Sequence, residues 1–163
     1  MKKTIVVGLG NPVLTDDGVG VKIVYEVEKS LGTDIPENLT ITEASVGGLR
    51  LMELLVGFDR VILIDALYTR NGNKPGTIHH MNLDDLRNIS STQHSASAHD
   101  TSLVTALDAG REMGFHLPSE FSIYAVEVEN ILDFNEVPTP AVAASIPIVV
   151  TAVLEELKTL IHD

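Results

Sequence analysis

Apolar and polar positions change period several times along the chain. Residues 4–9 form a continuous apolar run ending at Leu9-Gly10, the pattern of a strand buried on both faces of a mostly parallel sheet. From Asp17 the spacing becomes helical: Val19, Ile23, Val27 and Leu31 recur every four residues with Val24 beside them, making one apolar stripe. Residues 39–43 read as a second short strand, 49–56 as a short helix, and 60–64 as a third strand that ends at Asp65. A polar turn at 71–76 precedes an edge strand at 77–81, and the small polar stretch 90–98 (SSTQHSASA) reads as a loop. The next helix carries Leu103 and Leu107 and ends near Gly110 and Gly114, and residues 121–126 form another apolar strand. At 140–161, Val142, Ile146, Val149, Val153, Leu157 and Leu160 repeat at helical spacing, and Pro147 is expected to kink this helix or mark its true start.

Strands that alternate with helices predict an α/β three-layer sandwich, a twisted, mostly parallel sheet of about five strands with helices on both faces. No repeat, linker or low-complexity segment divides it, so residues 1–163 are read as a single domain. In such folds ligands bind outside the C-terminal ends of the strands. That rule selects the loop after the first strand, Asp65, and the turn leading into the helix near His99.

Composition narrows the chemistry. The chain has no cysteine, which excludes a disulfide framework, a thiolate metal site and a cysteine nucleophile; any metal must be held by His, Asp or Glu. Eleven basic and 23 acidic residues give a net charge of −12 with no basic cluster, which disfavours nucleic acid and favours a metal cation or a basic protein segment as partner. Lys2-Lys3 before an apolar run has the look of a signal-peptide opening. The run breaks at Gly8-Leu9-Gly10-Asn11-Pro12 without a cleavage site, however, and no apolar stretch approaches the roughly 18 residues of a membrane span. A cytoplasmic protein that does not engage membranes is expected.

The candidate residues each have an ordinary structural explanation. Gly8-Leu9-Gly10 lacks the third small residue of a dinucleotide fingerprint, because Val13 stands there. Asp16 and Asp17 suit a helix N-terminus, where acids are favoured and Thr15 or Asp16 can cap. Gly18 and Gly20 in a first helical turn instead mark close approach of another chain segment or a ligand. Asp65 sits where a central strand delivers ligands, or caps its own turn. Ser97-Ala98-His99-Asp100 has the form of a capping box that puts His99 in a first helical turn. Among the other histidines, His79 and His80 adjoin the edge strand, His94 lies in the polar loop, and His116 and His162 look like surface positions. Two carboxylates and an imidazole on one sheet edge suit a divalent first-row metal with open positions, without choosing between nickel and zinc. No Gly-x-Ser-x-Gly elbow supports a serine triad.

Gly8-Leu9-Gly10-Asn11 through Asp16-Asp17-Gly18-Val19-Gly20, Ile64-Asp65-Ala66, Pro75-Gly76-Thr77 and Ser97-Ala98-His99 with Leu103 resemble the [NiFe]-hydrogenase maturation endopeptidases over most of the chain. The resemblance implies that Asp17, Asp65 and His99 are metal ligands for nickel, with other divalent metals able to occupy the site. It also implies cleavage of a C-terminal extension from the hydrogenase large-subunit precursor after nickel insertion; either the precursor brings the nickel to these residues or they hold a metal of their own. The chemistry would come from polarisation by the metal or, alternatively, from the catalytic candidates Asp17 or Asp16 acting as general base, and Asn11, Gly47 and Gly48 are candidate substrate-binding positions. The chain departs from the family at Glu43-Ala44-Ser45-Val46-Gly47-Gly48, where an acidic-Gly-Gly-Thr-like stretch is usual. Two rivals compete. Val7-Gly8-Leu9-Gly10-Asn11-Pro12 is similar to peptidyl-tRNA hydrolase, but the histidine motif that should follow is replaced by Val13-Leu14-Thr15-Asp16-Asp17-Gly18. A nickel-binding maturation chaperone without peptidase activity would use the same three ligands.

Overall fold

The computed structural model describes residues 1–68, 73–91 and 98–161, with side chains over these ranges except 89–91 and 98–102. The apolar run after Lys3 forms β1 (Thr4–Leu9), all six residues buried. A short 3-10 helix (Thr15–Gly18) leads into α1 (Val19–Leu31), followed by β2 (Leu39–Ala44), α2 (Gly48–Leu55) and β3 (Arg60–Leu67). The chain continues through β4 (Ile78–Met81), α3 (Leu83–Ser91), α4 (Ala98–Glu112), β5 (Glu120–Glu127) and α5 (Pro140–Ile161). The five strands lie in the order β2-β1-β3-β5-β4. The first four are parallel and β4 closes the edge antiparallel to β5.

Strand alternation divides the core in two. Val6, Ile62, Ile64, Tyr124 and Val126 face α1 and α5, packing on Val19, Ile23, Val27, Val142, Val149 and Val153. Ile5, Val7, Val61, Leu63 and Ile123 face the other way, onto Leu51, Met52 and Leu55 of α2, Leu86 of α3, and Leu103 and Leu107 of α4. The three-layer sandwich expected from the pattern is the architecture found.

Several local expectations are corrected. β3 does not end at Asp65 but runs to Leu67, because β5 continues to pair with it as far as Leu67↔Glu127. A helix unmarked in the apolar pattern, α3, occupies Leu83–Ser91. Its start is a reciprocal cap in which the Asp85 N–H donates to Asn82 Oδ1 (2.9 Å) and the Asn82 N–H to Asp85 Oδ2 (3.0 Å), so Asn82-x-x-Asp85 was the legible signal. Of the loop expected at 90–98, Ser90 and Ser91 end α3, Ala98 opens α4, and 92–97 lie outside the described residues. Finally, α5 has the length and composition of a membrane span, 22 residues with a hydropathy of 1.6, contrary to the expectation that no stretch approaches it. Here one face of it packs inward: Val142, Val149, Val153 and Leu157 are buried against the sheet and α1. It runs unbroken from Pro140 through Pro147, so Pro147 does not mark its start.

Candidate active site

The chain leaves β1 toward β2 on one side and returns to β3 on the other, so the strand order reverses at β1. The crevice beyond the C-terminal ends of β1 and β3 is therefore the default ligand position of this sheet. Pairing between β1 and β3 ends at Gly8↔Ile64, whereas β3 stays paired with β5 through Asp65↔Ala125. Asp65 thus stands on a stretch of β3 that is open on its β1 side. It is buried, and its Oδ1 accepts the Ala66 N–H at 2.8 Å. Because Ile64 and Ala66 belong to the core under α1 and α5, alternation puts Asp65 on the face covered by α2 and α4.

Asp17 arrives at the same edge from the 3-10 helix, which packs against β3. Its Oδ2 accepts the Asn11 N–H at 2.9 Å, and the side chain is half-buried. Asp17, Asn11, Gly10 and Leu9 line a small cleft of about 140 Å³ with Ser45 and Val46. Two glycines make this approach possible. A Cβ on Gly10, whose φ is +129°, would lie 1.9 Å from the Asp17 carbonyl oxygen, and one on Gly20 would lie 2.3 Å from the Ile64 carbonyl oxygen and 2.6 Å from that of Leu9. The close approach inferred from Gly18 and Gly20 is made by the protein's own backbone: a Cβ on Gly18 would lie 2.4 Å from the Pro12 Cα, and β1, β3 and the Asp17 turn converge to distances that no side chain tolerates.

Asp16 is next in sequence and opposite in role. It has no exposed surface. Its Oδ2 accepts N–H groups from Glu129 (3.1 Å) and Asn130 (3.0 Å), and its Oδ1 accepts the Thr139 N–H (2.7 Å). The Thr139 hydroxyl lies within 3.0 Å of both oxygens. One carboxylate thereby ties the 3-10 helix to the 128–139 segment that follows β5, and it has no open side from which to reach a substrate. Further bonds complete the clamp: Thr15 N–H to the Asn135 carbonyl (2.9 Å), Thr15 Oγ1 to the Asp133 carbonyl (2.6 Å) and Asn135 N–H to the Val13 carbonyl (2.9 Å). Thr15 itself has φ +50°, an unfavourable conformation for a β-branched residue that costs about 1–3 kcal/mol and persists because these bonds over-determine it. Neither Thr15 nor Asp16 caps α1, whose N-cap is Gly18. The 128–139 segment is the part of the site that hydrophobic periodicity missed. Asn130, Asp133 and Asn135, residues that bond to local backbone, were its only trace in the sequence.

The 43–48 region resolves residue by residue. Glu43 is turned toward α1, where its carboxylate accepts the Tyr25 hydroxyl and holds that phenol's pKa above the usual value. Ser45 reaches the site edge instead, its hydroxyl donating to the Gly10 carbonyl at 2.7 Å. Gly47 and Gly48 form the N-terminus of α2, beyond the Ser45-Val46 wall of the cleft, with Gly48 at φ +58°. His99 lies in the first turn of α4, on the sheet face that Asp65 occupies, and its side chain is outside the described set. So are Ser97, His94 and His162. Among the described residues no three His, Asp or Glu side chains gather to hold a metal. His79 contacts the buried Glu127 (3.0 Å), His80 stacks on Tyr124 with ring centroids 4.3 Å apart, and exposed His116 pairs with Asp59 (2.9 Å).

Known proteins share this sequence pattern and this fold. The family model described as "hydrogenase maturation protease" matches residues 21–156, a span that takes in Asp65 and His99. The hydrogenase 2 maturation protease of Escherichia coli is 30% identical over 156 residues, covering 96% of this chain and 91% of that one. The hydrogenase expression/formation protein HupD of Rhizobium leguminosarum bv. viciae is 26% identical over 157 residues, covering 96% of this chain and 75% of HupD. Among solved structures, the hydrogenase maturating endopeptidase HybD from Escherichia coli superposes with a TM-score of 0.81 at 27% identity, over 96% of this chain and 93% of that one. At 20% identity the HybD of Thermococcus kodakarensis shares the fold, with a TM-score of 0.69 over 95% and 98% of the two chains. With the family matched across most of its length, and with Asp17 and Asp65 delivered to the crevice of the same fold, this chain belongs to the hydrogenase maturation proteases, enzymes that hydrolyse a peptide bond.

Proposed function

We propose that this chain removes the C-terminal extension of a [NiFe]-hydrogenase large-subunit precursor after nickel insertion, in the cytoplasm, and that it recognises the inserted nickel through Asp17, Asp65 and His99. One observation carries the reading: two carboxylates from different elements, Asp17 and Asp65, are brought to the β1/β3 crevice, on whose α4 side the first turn holding His99 begins. Two carboxylates and an imidazole are a fitting donor set for a divalent first-row ion, and nickel is here part of the substrate. Other divalent metals could occupy the same donors. Such an ion supplies polarisation of the scissile carbonyl or of water. The chain's own contribution is positional. The Asn11 N–H holds one oxygen of Asp17, a residue that lines the cleft, and there the carboxylate can take a proton from an attacking water as an aspartyl-type base. Asp16 serves by fixing the turn that carries Asp17. Asn11 and the Ser45–Gly48 turn flank the path a peptide would take past this edge.

The test is to mix the protein with nickel-loaded precursor and follow the precursor's mass. The expected result is one discrete C-terminal loss with the native protein and none with Asp17→Asn. Unchanged cleavage by Asp17→Asn overturns the assignment of the site, and binding by the native protein without any mass loss supports the non-proteolytic chaperone instead.

A further inference from the structure

The segment after β5 exposes two large apolar side chains beside the site. Leu132 is 82% and Phe134 86% exposed, and Val137 and Val13 are also open to solvent. Single exposed apolar residues are unremarkable, but a contiguous set on one surface marks an interaction site. The set is continuous: Asn135 donates to the Val13 carbonyl and forms a bridge with Leu14, so the strip from 132 to 137 runs alongside 13–14, three residues from Asp17.

This segment is held in shape independently of those side chains. The N–H groups of Glu129, Asn130 and Thr139 go to Asp16, and those of Leu132 and Asp133 to Asn130 Oδ1 (3.3 and 3.2 Å). That of Val137 goes to Asn135 Oδ1 (2.9 Å). A rigid backbone that presents solvent-exposed Leu and Phe loses little conformational freedom when they are covered, which is how binding surfaces are prepared. The rim is acidic: Glu129, Asp133 and Glu136 are exposed and 128–139 contains no basic residue.

We infer that Leu132 and Phe134 are docking anchors for the protein substrate, seating in an apolar depression with a basic rim on the folded precursor and thereby bringing its scissile segment to Asp17. This rests on the proposed cleavage reaction for its partner and adds the surface by which that partner is held. Charge complementarity with a chain of net charge −12, and continuity with the cleft edge, select a basic-rimmed protein surface over a second copy of this acidic chain.

The experiment compares the native protein with the double variant Leu132→Ser/Phe134→Ser, measuring precursor binding and steady-state processing separately. Burial of two such anchors predicts a rise of about thirtyfold or more in Kd and KM. kcat and the thermal unfolding midpoint should not change. Leu132→Met/Phe134→Tyr should restore binding. Glu136→Lys, a second and structurally mild probe, should weaken binding, and added salt should weaken binding of the native protein. Native affinity in the serine variant overturns the inference. So does a native protein that is dimeric by light scattering and becomes monomeric in the serine variant with processing intact, since the patch is then a self-association surface. If the native protein binds precursor in a Leu132- and Phe134-dependent way yet never cleaves it, the docking surface stands and the cleavage reading falls.

Discussion

Replacing Asp16 by Ala should cost this protein its stability, whereas replacing Asp17 by Asn should cost it only its activity. In Asp16→Ala, three backbone N–H groups and the Thr139 hydroxyl lose their acceptor together. An unsatisfied buried donor costs about 1–3 kcal/mol. Water can reach parts of the 128–139 segment, and the variant recovers the desolvation cost of a buried carboxylate, so the low end of that range applies to each group. The sum is about 3–5 kcal/mol, a large share of the roughly 5–15 kcal/mol that stabilises a domain of this kind. The Asp17 carboxylate accepts the Asn11 N–H, and an Asn oxygen can still accept it, so the stability change should stay below about 1 kcal/mol. Thr139→Val falls between, at about 1 kcal/mol for a single hydroxyl. Urea unfolding followed by circular dichroism measures all three as shifts in midpoint at constant m-value, with precursor processing assayed in parallel below the transition. An Asp16→Ala protein within about 1 kcal/mol of native stability, yet unable to process precursor, would refute the reasoning, because Asp16 would then act in the chemistry and not in the clamp.

Gly20→Ala should destabilise the fold by about 2–4 kcal/mol, since its Cβ meets the backbone oxygens of Ile64 and Leu9 and neither strand can yield without shifting the site edge; a thermal melt reads this directly. Glu120 has its pKa held below the ordinary 4.5, first by its bond with Lys2 and then by Arg60. The stabilisation from a lowered folded pKa is present above the ordinary value and is lost as pH falls from there through the folded value, so the melting midpoint should drop as pH falls below 4.5, and Glu120→Gln should flatten that part of the profile.

Much of the architecture was legible in the residues. A strand buried on both faces must be apolar at consecutive positions, and a helix lying on a sheet must be apolar every third or fourth, so β1, α1, β3, β5 and α5 announced themselves. So did the edge where Asp65 and the loop after β1 come together, because parallel strands send both to the same side. The α3 helix was hidden because its evidence is a cap, Asn82 with Asp85, and not a long stripe. Adjacent Asp16 and Asp17 were indistinguishable as letters, since either could be the catalytic acid or base and both suited a helix start.

Only the folded chain separates those two. In a 3-10 turn successive side chains point in different directions, and what each meets depends on a segment more than a hundred residues later in the chain: the backbone N–H groups at 129, 130 and 139 surround Asp16, while Asp17 is left at the cleft. The same is true of the glycines, whose composition foretold a close approach without naming the partner. Local periodicity determined which elements form and in what layers, because burial acts on each element by itself. Which carboxylate is buried in a clamp and which lines the cleft was decided by tertiary contacts, because hydrogen bonds saturate only between groups that the complete fold has brought within about 3 Å of each other.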